Sequence, residues 1–186
     1  MSVSSSLDLK DEEVPPSEPI PAAKVRAEID QALTHLELEI SADVHAKKGI
    51  EEHLAGRRAL LESVRPFEGI GVPVAALTGL RTVTVFSGRL RSDPSADLAK
   101  LTDASEVIHG REAAVVLVPG SSAEEAAKVL SDHGFSEARL PPIGERPAEA
   151  MSRIRAEIEE LEMKLATLND RLDKLKARHA GFISAA

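Results

Sequence analysis

Cysteine is absent from the 186-residue chain, which excludes disulfides, thiolate metal sites and cysteine nucleophiles together. Tryptophan and tyrosine are absent too, and Phe67, Phe86, Phe135 and Phe182 are the only aromatic residues. A large globular core draws much of its apolar area from aromatics, so Leu, Val, Ile and Ala on helices and one small sheet are expected to form the core here. No long hydrophobic run occurs. The longest, Ala113-Ala-Val-Val-Leu-Val118, falls far short of the roughly 20 residues that span a bilayer. The N-terminus has no basic stretch leading into an apolar one, so no secretory signal is read there and a soluble chain is expected. The formal charge is −8 and the acidic excess is spread along the chain. No basic stripe is left to neutralise a phosphate backbone and no aromatic platform to stack bases, so nucleic acid is not an expected partner.

What is present is helical periodicity on either side of a compact middle. Residues 1–21 combine a serine run, Asp11-Glu12-Glu13 and several prolines, a composition that buries too little apolar surface to order itself, and they are read as a disordered leader. Residues 22–65 form the first long helix of a stalk. It is proline-free from Ala22 to Val64, with Val25, Ile29, Leu33, Leu36, Ile40, Val44, Ile50, Leu54, Leu61 and Val64 at helical spacing, and Pro66 stops it. Gly49 and Gly56 weaken it by about 1 kcal/mol each relative to alanine, which marks a place to bend. Residues 146–181 form the second long helix, where Met151, Ile154, Ile158, Leu161, Leu165, Leu168, Leu172 and Leu175 follow alternating spacings of three and four, continued by His179 and Phe182. Pro147 opens it and a short tail, 182–186, follows. Two narrow apolar stripes flanking one domain are expected to pack antiparallel, with Ile29, Leu33, Leu36, Ile40, Leu54 and Leu61 facing the second stripe as a coiled-coil seam. Self-association into a homodimeric coil is the alternative for the same stripe.

The middle, residues 66–145, reads as an α+β lobe. A strand over Thr82–Phe86 is followed by a short helix over Asp93–Leu101, strands at Glu106–His109 and Ala113–Val118 with a turn at Gly110-Arg111, a Ser-capped helix from Ser121 stopped by Gly134, and a strand from Phe135 to Leu140 before Pro141-Pro142. The order β-α-β-β-α-β is that of the ferredoxin-like sandwich. Its expected core is Val83, Val85, Leu98, Leu101, Val116, Val118, Val129, Leu130 and Phe135.

Chemistry is searched for and not found. His35, His45 and His53 on the first helix are ten and eight residues apart, not the three or four that grip a metal. His109 follows a strand, His133 sits at a helix end where its charge suits the dipole, and His179 lies on the heptad. No Ser-His-acid arrangement follows from spacing. Gly69-Ile-Gly-Val-Pro73 lacks the Lys-Ser/Thr ending of a phosphate loop and is read as a turn, while Gly79 and Gly88 are taken to bracket the first strand. Catalytic, cofactor and metal sites are expected to be none.

The stretch Arg65-Pro-Phe-Glu-Gly-Ile70, then Leu80 to Leu90 with its Phe86-Ser-Gly88, then Ala114-Val-Val-Leu-Val-Pro119, Ala123 to Pro141, and Gly144-Glu-Arg-Pro-Ala-Glu-Ala150 before an acidic heptad helix, resembles the cytoplasmic part of subunit I of archaeal and bacterial A/V-type ATPases, subunit a in eukaryotes. The resemblance covers roughly residues 60 to 180. It implies a non-catalytic stator part at the cytoplasmic face of the cell membrane, contacting the peripheral-stalk E and G subunits and other subunits of the membrane sector. The family's opening strand and helix, and its transmembrane domain with the basic residue of the proton path, have no counterpart here, so the chain is expected to be a fragment that moves no protons itself. The sandwich, including its helix at 121–133, is the expected docking surface. A ligand-sensing ferredoxin-like module and a homodimeric coiled-coil scaffold are the alternatives.

Overall fold

A computed structural model describes residues 22–184, so the leader expected over 1–21 lies outside the described residues. In chain order the elements are α1 (Ala22–Val64), β1 (Val83–Arg89), α2 (Ser95–Leu101), β2 (Glu106–His109), β3 (Ala114–Pro119), α3 (Ala123–Asp132), β4 (Ser136–Glu137) and α4 (Pro147–Ser184). The fold divides into two units, with the boundary inside α1 between Ala42 and Asp43. In the first unit Val25, Ile29 and Leu38 are exposed and Leu33, Leu36 and Ile40 are half-buried.

In the second unit the rest of α1 runs antiparallel to α4. The ion pairs between them show the direction: Arg57 meets Glu157 at 3.2 Å, Arg58 meets Glu162 at 2.6 Å, and Asp43, the first residue of the unit, meets Arg171 at 2.9 Å. Leu54 is buried on α1, as are Met151, Ile154, Leu161, Leu172 and Leu175 on α4; Leu61, Ile158, Leu165 and Leu168 are half-buried. Where α1 ends and α4 begins, Val64, Val74, Ile143, Ala150, Met151 and Ile154 form one apolar cluster. Pro147 opens α4 and is fully buried; its missing N–H costs nothing in the first turn, and Arg146 O accepts the first helical bond from Ala150 N at 3.0 Å.

The four strands form an antiparallel sheet in the order β2-β3-β1-β4. Helices α2 and α3 both cover one face, where Leu98, Ala126 and Leu130 pack on Val116 and Val118 with Phe86 and Phe135 beside them. The opposite face was not foreseen to have a cover. It is closed by residues 65–77, two short 3-10 turns that place Phe67, Ile70 and Leu77 against Ala113 and Val115. The Gly69–Pro73 stretch within it turns as expected, with Gly69 at φ +98°, a conformation that suits glycine. Pro66 O then accepts two bonds from the β2–β3 turn, from Glu112 N and Ala113 N, each 3.0 Å long.

Several expectations need correcting. β4 is two residues long, not six: after Ala138 the chain peels away, and Pro141 and Pro142 have no N–H to hold it to the sheet. Gly88 lies inside β1, not at its edge. Leu101 is exposed at 36% and stands outside the core. Ser121 and Ser122 lie in a 3-10 turn, and Ser122 makes no side-chain capping bond to α3.

Candidate interaction surfaces

The C-terminus of α3 is built by local chemistry. Gly134 adopts φ +68°, Phe135 N donates to Leu130 O at 3.0 Å, and Gly134 N donates to Ser131 O at 3.0 Å. These are the two bonds of a Schellman ending, with Leu130 and Phe135 making its apolar contact. Just before the glycine, His133 joins three segments. Its Nε2 lies 3.0 Å from Asp97 Oδ2 on α2, and its Nδ1 lies 2.7 Å from Ser92 Oγ in the loop after β1. Arg91 N donates to His133 O at 3.0 Å. The ring is mostly covered, so the histidine read as a dipole partner is a staple between α2, α3 and the loop.

Asp97 is held below the usual carboxylate range, first by the hydrogen bond from Lys100 and next by that of His133. A carboxylate depressed on folding adds stability above its unfolded value and loses it as pH falls through the folded one. Asp97→Asn is therefore expected to flatten part of the decline in thermal stability below about pH 4; parallel melts between pH 3 and 7 check it, and two curves of identical shape would refute the coupling. On the same loop, Asp93 is lowered chiefly by Ser95, with His109 Nε2 3.7 Å away.

The paired helices carry a second network that spacing alone only half revealed. Arg153 reaches Glu145 at 2.8 Å and Glu157 at 2.6 Å, and Glu157 also accepts from Arg57. The i,i+4 pair of Arg153 and Glu157 is legible in sequence, whereas Arg57 lies a hundred residues away. Asp43, 8% exposed, is the buried charge of this region. Arg171 Nε sits beside its Oδ2, yet no hydrogen bond is aimed at that oxygen, so the contact is coulombic.

Two grooves flank the helix pair. One, about 450 Å³, is lined by Glu51, Leu54, Ala55, Arg58, Glu162 and Leu165. The other, about 530 Å³, runs past Ala46, Ile50, Met163, Thr167 and Leu168, with Met163 66% exposed. A third concavity of about 330 Å³ opens between β1 and α3, lined by Val85, Phe86, Ser87, Ala127, Leu130, Phe135 and Glu137. Among the described residues no group of His, Asp and Glu could hold a metal ion, and no helix is long and apolar enough to cross a membrane. His35, His45 and His53 all lie on α1, and His109 closes β2.

These features define a class: an α+β lobe with a four-stranded antiparallel sheet, carried on paired long helices. No family model matches the chain. Over 159 residues it is 24% identical to the A-type ATP synthase subunit I of Archaeoglobus fulgidus, covering 83% of this chain and 23% of that protein. The chain spans less than a quarter of that protein's length. A solved structure, the cytoplasmic N-terminal domain of subunit I, homolog of subunit a, of V-ATPase, is also similar, with a TM-score of 0.42, 19% identity, and coverage of 91% of this chain and 58% of that one.

Proposed function

We propose that this chain is a non-catalytic stator part of a proton-translocating A/V-type ATPase, linking the membrane sector to the peripheral stalk through protein–protein contacts at the cytoplasmic face of the membrane. The observation that carries the reading is the similarity to A-type ATP synthase subunit I across 83% of the chain. The second unit suits such work physically. Antiparallel helices locked by cross-helix ion pairs resist bending, and a sheet covered on both faces resists shear better than a one-faced sheet. We read the strand order β2-β3-β1-β4, with both helices on one face, as ferredoxin-like. Within the second unit, Leu54 and Leu61 with Met151 to Leu175 are taken as a coiled-coil seam on their heptad spacing, and residues 66–145 as the docking lobe.

Light scattering coupled to size exclusion tests the reading. Mixed with a cognate E–G heterodimer, the chain is expected to shift into a stable complex, and charge reversals on the outer face of α3, such as Glu124→Lys with Glu125→Lys, are expected to weaken it about tenfold. A homodimer indifferent to E–G would overturn the reading in favour of a self-associating scaffold.

A further inference from the structure

The sheet has an unpaired edge, and its chemistry specifies an occupant. In an antiparallel strand, alternate residues turn their N–H and C=O to opposite sides. Thr82 O accepts from Gly120 N at 2.9 Å, so Thr84, Phe86 and Gly88 face β3 as well, in register with Val118, Val116 and Ala114. Val83, Val85, Ser87 and Arg89 therefore turn their backbone groups the other way, toward β4. There, Arg89 is opposite Ser136, and Ser87 O accepts from Ala138 N at 2.9 Å. Beyond Ala138 the chain has left. Among the described residues nothing bonds the N–H or C=O of Val83 or Val85. The concavity between β1 and α3 opens beside this edge, lined by Val85, Phe86, Leu130 and Phe135, with the exposed Ala127 at α3.

Charge narrows the choice further. The chain is acidic overall, yet the open stretch is flanked by Arg81 before β1 and Arg139 after β4, both exposed and, among the described residues, both without an ion-pair partner. Glu137 is the one acidic group on the lining.

We propose that Val83 to Val85 receive an extended segment of a partner polypeptide as an added strand, with an apolar side chain in the cavity beneath α3 and carboxylates at its two ends facing Arg81 and Arg139. Backbone donors and acceptors along β1 supply affinity, and the cavity and the two arginines supply selectivity. This surface is separate from the outer face of α3, and its test does not depend on the stator reading.

The probe is the peptide acetyl-Asp-Thr-Val-Leu-Val-Thr-Asp-amide, titrated into the full chain and followed by amide hydrogen exchange. Exchange at Val83 and Val85 is expected to slow at least tenfold on binding, and the same peptide with lysine at both ends is expected to bind at least tenfold more weakly. Arg81→Glu with Arg139→Glu, both solvent-exposed changes, should reverse that preference, and Ala127→Glu should weaken the acidic peptide about tenfold. Unchanged exchange at Val83 and Val85 at millimolar peptide, equal affinity for both peptides, or protection that appears with protein concentration alone and marks a second copy on the edge, would each overturn the proposal.

Discussion

Ile154→Ala is expected to lower the stability of the lobe and helix junction by about 3 kcal/mol, within the range for emptying a buried isoleucine site. Ile154 has no solvent exposure and sits among Val64, Val74, Ile143, Ala150 and Met151. Those neighbours come from α1, the segment after it, the segment before α4, and α4 itself, so no single element can move in to fill the space. For a chain of this size each kcal/mol shifts the melting temperature by roughly 2–4 °C, so a drop on the order of 6–12 °C should be read by calorimetry. Leu165→Ala, at a half-buried seam position, serves as the comparison. If the two variants melted together, the junction cluster would not be the keystone described here.

Gly88→Val is expected to detach β4. A Cβ at Gly88 would lie 2.6 and 2.8 Å from two ring carbons of Phe135 and closer still to the carbonyl oxygen of Ser136. The ring has nowhere simple to go, since it packs edge-on to Phe86 with centroids 6.3 Å apart. The backbone of β4 must then shift, with loss of the Gly88–Glu137 and Arg89–Ser136 pairing and of the bond from Ala138 N to Ser87 O. Overpacking of this kind costs about 1–3 kcal/mol. Denaturant unfolding measures the total, and amide exchange at Ala138 locates it. Undiminished protection at Ala138 would mean that the sheet absorbs the methyl groups elsewhere.

Much of this architecture is legible in the sequence because its signals are local and periodic. The proline-free stretch to Val64, the three-and-four spacing from Met151 and the glycine at 134 each act within a few residues, and α1, α4 and the end of α3 fall where those signals put them. The misses have a common physical cause. Phe67, Ile70 and Leu77 have no helical or strand period, because they sit in two short 3-10 turns and the loop between them, whose burial is decided by a sheet that forms later in the chain. The shortness of β4 depends on where the backbone must go to bury Ile143, which strand propensity does not report. His133 could be placed at a helix end from sequence, but its bonds to Ser92 and Asp97 join residues about forty apart. The interaction surfaces are the least legible part, since an unpaired edge is a property of what fails to arrive beside it.

The two bonds that Pro66 O accepts from the β2–β3 turn give the molecule a shortcut for tension. A pull on α1 that had to follow the covalent chain would reach β1 only by way of residues 68–82, which are pinned by the buried Ile70, Val74 and Leu77 and by the bonds from Val74 N and Ala75 N to Glu145 O and Gly144 O. Through Pro66 the load passes instead straight into Glu112 and Ala113 at the head of β3, where it is shared with β1 on one side and β2 on the other. The packed segment is thereby shielded: the hydrogen-bonded clip must give way before tension can peel Ile70, Val74 and Leu77 from their sites.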